Sequence, residues 1–459
     1  MVTLRFLGAD REVTGSCYML DYNGFKVIVD CGIYQGDELL EKRNAEAFKF
    51  DPKEVDVMIL THAHLDHCGL VPKLVKHGFR GKILMTAPTR DMFEITAYDT
   101  AKIQKEDAMR DPSKPIIYNA GDVVHTLSRC EIVQYNNRIK LSDDFFVTFK
   151  NAGHILGSAF LYMEVEGKKV VFSGDLGHKG QSIIRPFEYV TDVDYLVIES
   201  TYANRLHKPK SESETELLHT INEAYKRQGN IIIPTFAIER TQELIYGFKV
   251  MQKNNLMPPI PVYIDSPMAS RITDVFSKYV GEFNTETKEV VTKGDNPFYF
   301  DRMRFVQDAK RSRRVSARNI GKNKKGESIM VLAGSGMCTG GRVLGYLARN
   351  LPLSRSVIVF PGYQADGTLG REIVEGAKEV AIYGKMVSVR AQVVTLGGFS
   401  AHGDKADLLD WIDHMETKPK KTFICHGDEA ISLEFSDILK QERNLESMVP
   451  YYDTEEVLV

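Results

Sequence analysis

The sequence contains no apolar run near the roughly 18 residues that a membrane-crossing helix needs, so no transmembrane segment is expected. Its N-terminus, MVTLRFLGADREVTGSC, lacks an apolar signal core and reads as a strand and a loop. There is no Cys-x-x-Cys pair. The six cysteines (Cys17, Cys31, Cys68, Cys130, Cys338 and Cys425) are scattered, which argues against a disulfide framework or a zinc ribbon and for reduced, partly buried thiols. Charge of one sign is not in excess. A net charge of −3 does not advertise nucleic-acid binding, although a local basic surface would suffice for it. No short repeat and no low-complexity tract stands out. These absences leave a cytoplasmic protein with no membrane partner as the expectation.

The chain has 459 residues, 43% hydrophobic and 26% charged, a globular composition too long for one ordinary core, so two or three domains are expected. The first third is rich in short β-branched or aromatic runs such as TLRFLG, FKVIVD, VDVMIL, FFVTFK and KKVVFSGD, bounded by Gly, Asn and Asp. YNGF at 22–25 carries an Asn-Gly hairpin signal, and VEGKKVVF predicts a second hairpin. Residues 89–108 predict a helix. From about residue 206, strands such as NIIIPT, IPVYID, ESIMVLAG and RSVIVFPG alternate with amphipathic helices, the pattern of a parallel sheet covered on both faces. The first of these helices carries a Ser-x-x-Glu capping spacing at 211–214. After about 396 the mixed pattern of the first third returns, so the second region reads as inserted into the first.

The densest chemistry lies in VDVMILTHAHLDHCGLVPKLV, residues 55–75. His62, His64, Asp66 and His67 follow directly on an apolar strand. Side chains two apart on an extended loop share a face, so His62 and His64 can meet one metal, while Asp66 and His67 turn into a helix and can meet a second. One short stretch cannot complete two coordination spheres. The remaining ligands are expected on other strand-end loops beside glycine: His154 in KNAGHILGS, Asp175 in VVFSGDLG and His426 in FICHGD, with Asp175 able to bridge two ions. Asp30 in VIVDCG can be a ligand or an acceptor that orients a ligating histidine. KRSRRVSARNIGKNKKG, residues 310–326, holds eight Lys and Arg, as a solvated loop or as a surface for a polyanion.

These residues together resemble the metallo-β-lactamase superfamily, and the phrases from 200 onward resemble its β-CASP nuclease branch, which includes ribonuclease J and the pre-mRNA 3′-end endonuclease. Asp30, THAHLDH, His154 and Asp175 fit the first four motifs. Glu199 in IESTYANR fits motif A, His402 in GGFSAHGD fits motif B, and His426 in CHGD fits motif C, while DSPMA, GSGMCTGGR and GYQADGTLGR resemble the inserted domain. The resemblance implies an α/β fold, an αββα sandwich with an inserted parallel-sheet β-CASP domain, here divided as 1–205, 206–395 and 396–459. It implies two zinc ions, with manganese as a substitute: one held by His62, His64, His154 and Asp175, the other by Asp66, His67, His426 and the bridging Asp175, with Asp30 behind the ligands.

The activity implied is that of a zinc-dependent ribonuclease. It hydrolyses phosphodiester bonds of single-stranded RNA with a hydroxide activated by two metals, leaving 5′-phosphate and 3′-hydroxyl ends, as an endonuclease or also a 5′-exonuclease. Asp66, Glu199 and His402 are the expected catalytic residues, with His402, paired to Glu199, a general acid or a stabiliser of phosphate and leaving group. RNA-acting members resemble this chain in having His at motif C where DNA-acting members have Val. The Gly of SAHGD and the Asp of CHGD depart from the commoner residues without touching a ligand. A DNA nuclease and a catalytically weak RNA-binding partner are the alternatives. The short flanks read as the free-standing bacterial type, with a homodimer conceivable. In the insert, Ser335 in the turn at 334–341 is a candidate phosphate cradle or part of a plain helix start. Arg271 and Arg371 are candidate phosphate contacts or partners in internal salt bridges.

Overall fold

The computed structural model describes residues 1–36, 38–318, 327–365 and 367–459; positions 319–326 of the basic run and Asp366 of GYQADGTLGR lie outside the described residues. Two compact units emerge, one formed by Met1–Leu206 with His402–Val459, the other by His207–Ala401.

In the first unit, the short β-branched runs pair into two seven-stranded sheets. One is ordered Glu455–Leu458, Val2–Phe6, Tyr18–Tyr22, Phe25–Val29, Val57–Ile59, Lys82–Thr86, Cys130–Val133. Its first four strands pair antiparallel and the rest parallel. The other is ordered Ser447–Met448, Lys421–Cys425, Tyr195–Glu199, Lys168–Phe172, Ala159–Val165, Phe145–Asn151, Arg138–Ser142. Alternating residues of both, among them Phe6, Leu20, Val29, Phe149, Leu161 and Phe172, meet in one apolar core, which is why the strands read as inward-facing alternations. Helices Lys405–Asp413 and Glu429–Arg443 cover the outer face of the second sheet with Trp411, Leu408, Phe435 and Leu439. Helix Ala87–Arg110 covers strand Lys82–Thr86 of the first. The layers are therefore α, β, β, α.

The Asn-Gly hairpin forms as the sequence predicts: Asn23 and Gly24 both adopt positive φ, 53° and 91°, the requirement of a tight two-residue turn. The 166–167 turn joins the second predicted hairpin. The helix expected at 89–108 runs from Ala87 to Arg110, with the Thr86 hydroxyl accepting from the Thr89 amide. The capping expectation at 211–214 is corrected. The helix already starts at Lys210, with Pro209 at the cap position and no side-chain cap, so Ser211 and Glu214 lie inside it. The Ser213 hydroxyl instead accepts from the Gly398 amide at 3.1 Å.

The second unit holds a six-stranded, wholly parallel sheet ordered Met303–Phe305, Val262–Asp265, Met330–Ala333, Ile231–Pro234, Val357–Phe360, Gln392–Thr395. Its central strands are buried along their whole length, as expected for a parallel sheet covered on both faces. The Gly398–Ser213 bond lies within this unit and goes with a boundary at 401/402, whereas the sequence pattern changes at 395/396. Among the described residues, no helix is long and apolar enough to cross a membrane.

Candidate metal centre

Strand Val57–Ile59 ends in the heart of the first unit, and the next residues are extended until helix Leu65–Cys68 begins. His62 and His64 therefore leave the loop on one side and Asp66 and His67 leave the first helical turn. His154 follows strand Phe145–Asn151, Asp175 follows Lys168–Phe172, Glu199 ends Tyr195–Glu199, and His426 follows Lys421–Cys425. The strand-end loops bring all of them together. His62 Nε2 lies 3.2 Å from His64 Nδ1, and His154 Nε2 lies 3.1 Å from the same atom. Asp175 Oδ2 is 3.4 Å from both His62 Nε2 and His154 Nε2. In the neighbouring group His67 Nε2 is 3.1 Å from His426 Nε2, His426 Nε2 is 3.4 Å from Asp66 Oδ2, and Asp175 Oδ1 is 3.2 Å from His67 Nε2.

These separations fit a metal. Ligands held at zinc distances of about 2.0–2.1 Å form a tetrahedron with edges of about 3.3 Å. The hydrogen-bond directions agree. His62 Nδ1 faces the Thr61 hydroxyl at 3.1 Å, which itself donates to Asp30 Oδ2 at 2.8 Å, so Nδ1 carries the proton and Nε2 turns a lone pair inward. His67 Nδ1 donates to Asp30 Oδ2 at 2.7 Å, and His426 Nδ1 donates to the Thr201 hydroxyl at 3.1 Å, again leaving Nε2 free. Both Asp175 oxygens are buried and neither accepts a well-formed hydrogen bond despite the ring nitrogens around them. Lone pairs and a bare carboxylate converging on one point are the donor set of a cation. His62, His64, His154 and Asp175 form one such group, and Asp66, His67 and His426 another.

Burial sets the charge states. It pulls His62 and His64 below their ordinary values, His64 to about 3, and neighbouring rings add to this; His154 is held well below for the same reasons, burial and then His402. Neutral rings are the ligating form. For His67 burial also works against the charge, but the Asp175 and Asp30 carboxylates outweigh it and raise the ring well above its usual value. Burial pushes Asp66 and Asp175 up, yet the surrounding histidines, His426 foremost, hold both carboxyls down.

The third group is Asp175, Glu199 and His402. Glu199 is fully buried. It accepts from the Leu176 amide at 2.7 Å and from His402 Nδ1 at 3.0 and 3.2 Å. The pair fixes the ring of His402 through Nδ1. Burial lowers the His402 pKa, but Glu199 and then Asp175 override it and push it up to about 9.

Some supports carry no signal that the sequence reading used. Thr61 and Thr201 orient the rings of His62 and His426, and the Ser16 hydroxyl lies 3.5 Å from His67 Nε2. The cue for Thr61 was its position directly before His62. The other three candidates lie in the second unit. Arg371 pairs within its own helix with Glu375 at 2.7 Å, the internal salt bridge left open by the sequence, Arg271 is exposed on helix Pro267–Lys278, and the Ser335 hydroxyl accepts from the Gly340 amide at 3.2 Å.

Fold and donor set together define a metallohydrolase of the αββα class. The chain matches the model of the metallo-β-lactamase superfamily over residues 10–125, that of the Beta-Casp domain over 241–373, and that of the Zn-dependent metallo-hydrolase RNA specificity domain over 386–450. It belongs to the β-CASP nuclease branch of the metallo-β-lactamase superfamily. It is 37% identical over 432 residues to Ribonuclease TTHA0252 of Thermus thermophilus, covering 94% of each chain. To an RNase J-like protein of Methanocaldococcus jannaschii it is 33% identical, covering 99% of each, and to the transcription termination factor FttA of the same organism 31%, covering 98% of this chain and 70% of that one. A crystal structure of a protein of unknown function from Enterococcus faecalis V583 superposes over 100% of both chains with a TM-score of 0.56 at 13% identity, a likeness of fold.

Proposed function

We propose that this chain is a zinc-dependent ribonuclease acting in the cytoplasm on single-stranded RNA, with manganese able to replace zinc and with 5′-phosphate and 3′-hydroxyl products. The observation that carries the reading is the pair of donor groups bridged by Asp175 beside the Glu199–His402 pair. Support for RNA comes from His426 at motif C, from relatives named ribonuclease and RNase J-like, and from a matched domain named for RNA specificity. The complete donor set favours turnover over RNA binding alone.

His62, His64, His154 and Asp175 would hold one ion, and Asp66, His67, His426 and Asp175 the other. When bound, the two cations supply Lewis-acid chemistry, making water acidic enough to attack phosphorus near neutral pH and neutralising charge on the phosphoryl oxygens. Asp30 and Thr201 keep the ligating rings in the right tautomer. Against the effect of burial, Glu199 and then Asp175 favour the protonated form of His402, which would give its proton to the departing 3′ oxygen. Glu199 accepts from Nδ1, orients the ring and stabilises its charge. No group in this scheme calls on the 2′-hydroxyl, which is why a 5′-phosphate is the expected end.

The test is to incubate the protein with end-labelled single-stranded RNA, the matching DNA and a thioester, comparing wild type with Asp175→Ala, His402→Ala and a chelator-treated sample. RNA cleavage by the wild type, lost on chelation and in Asp175→Ala, is the expected result. Cleavage of DNA alone, or RNA cleavage retained by Asp175→Ala, would contradict the proposal.

A further inference from the structure

In the second unit, the segment made of edge strand Met303–Phe305 and the helix after it is cationic beyond anything its packing needs. Residues 301–318 hold seven Lys and Arg against two Asp, in a chain whose net charge is −3. Helix Ala309–Ser316 is anchored on one face only. The Ser312 hydroxyl donates to Asp265 Oδ2 at 2.6 Å, Val315 is buried in the apolar core, and the Asp308 carboxylate caps the helix by accepting from the Arg311 amide at 2.7 Å. Asp265 also takes Arg342 Nη1 at 2.6 Å, so the helix is tied to the element after the Gly334–Gly341 turn. The opposite face presents Lys310, Arg311, Arg313 and Arg314, all exposed. Arg302, on the same edge, pairs with Glu327 at 3.6 Å, but among the described residues no ion pair engages those four.

The arrangement is unfavourable by itself. Residues 310 and 313, 310 and 314, and 311 and 314 are neighbours on the helix surface, and each like-charge pair costs about 0.2–0.5 kcal/mol. A helix that holds four cations without an ion pair among the described residues is complementary to a polyanion with repeating charge. Resting on the reading of this chain as a ribonuclease, we propose that the face Lys310–Arg314 of the second unit anchors the sugar-phosphate backbone of single-stranded RNA, as a contact additional to those of the centre that cuts it.

Contacts of this kind are read by their salt dependence. Four cations, each neutralising one phosphate of a single strand, contribute about 3 to the slope of log affinity against log salt. The experiment measures RNA binding by the full chain in an Asp175→Asn background, so that the probe survives. The probes are oligouridylates of about 30 and about 6 nucleotides, bracketing the span of a single-strand site. Replacing Lys310, Arg311, Arg313 and Arg314 together by Gln leaves Ser312 and Val315 in place. The expected result is about a tenfold or larger loss of affinity for the long RNA and a slope shallower by about 3, with the short RNA bound as before. A variant with Arg311, Arg313 and Arg314 all changed to Lys keeps the charge and retains long-RNA binding, which separates charge from folding. Unchanged affinity and slope for the long RNA would overturn the proposal. So would equal losses on both probes. If the chain binds the long RNA with the steep slope but wild type never cuts it, the ribonuclease reading fails while the anchoring face stands. Cutting with no change in slope gives the reverse.

Discussion

Asp175 lies 3.4 Å from His62 and His154 in one donor group and 3.2 Å from His67 in the other, so one substitution tests them together. Asp175→Asn is expected to lower RNA cleavage about 10³-fold or more and to reduce bound metal, read by elemental analysis alongside the rate. His402→Ala should separate from it: a loss of about 10²–10⁴-fold with metal content unchanged, since the ring is held by Glu199 and belongs to neither main donor group. Asp10 lies outside the mechanism. It is buried, and neither carboxylate oxygen finds a well-formed hydrogen bond. Burial first, and then Glu12, push its pKa well above the usual range. A carboxyl whose folded value is raised binds its proton more tightly in the folded state, so stability falls as pH climbs from the unfolded value of about 4 toward the folded one. Asp10→Asn should therefore melt higher than wild type at pH 8, with the gap narrowing toward pH 5. A gap that widens on acidification would contradict this.

The elements decide where those residues meet. Gly32 illustrates how closely: a Cβ there would stand 1.6 Å from the Asp66 carbonyl oxygen, so Gly32→Ala must push the Asp66–His67 turn out of place. Metal affinity is expected to fall by at least the 10–100-fold typical of disturbed ligand support, measured by competition with a chromophoric chelator. Asp30 and His426 hold positive φ, 58° and 49°, an arrangement that costs about 1–3 kcal/mol per residue and persists only where the surroundings enforce it. None of this conformational detail could be read from the sequence, because it depends on which backbone runs alongside. The strands could be read, since β-branched runs between Gly and Asn signal them locally, and so could His62, His64, Asp66 and His67, which share one loop. His154, Asp175 and His426 were legible through a shared context, a polar residue beside glycine at a strand end. Thr61 had only its place directly before His62, and Thr201 had no cue, because a hydroxyl that orients a ring has no spacing of its own. The misread cap at 211–214 has a different origin: the helix begins one residue earlier, at Lys210 behind Pro209, which places Ser211 inside it.

At the scale of the molecule, the two units have separate cores, one between two sheets and one around a parallel sheet. All seven proposed ligands lie in the first. Ligand binding stabilises only the part that binds, so a chelator should shift one calorimetric transition downward and leave the other where it was. A single transition moving as a whole would show that the units melt together. The central claim, that RNA cleavage depends on metal held by two donor groups bridged through Asp175, is tested most directly by a titration. Metal-stripped protein is given zinc in steps while bound metal and cleavage of end-labelled RNA are read from the same samples. The account predicts no cleavage without metal, full activity only as the second equivalent binds, and neither stoichiometry nor rate recovered by Asp175→Asn. Full cleavage by the metal-stripped chain, or by Asp175→Asn at saturating zinc, would contradict it.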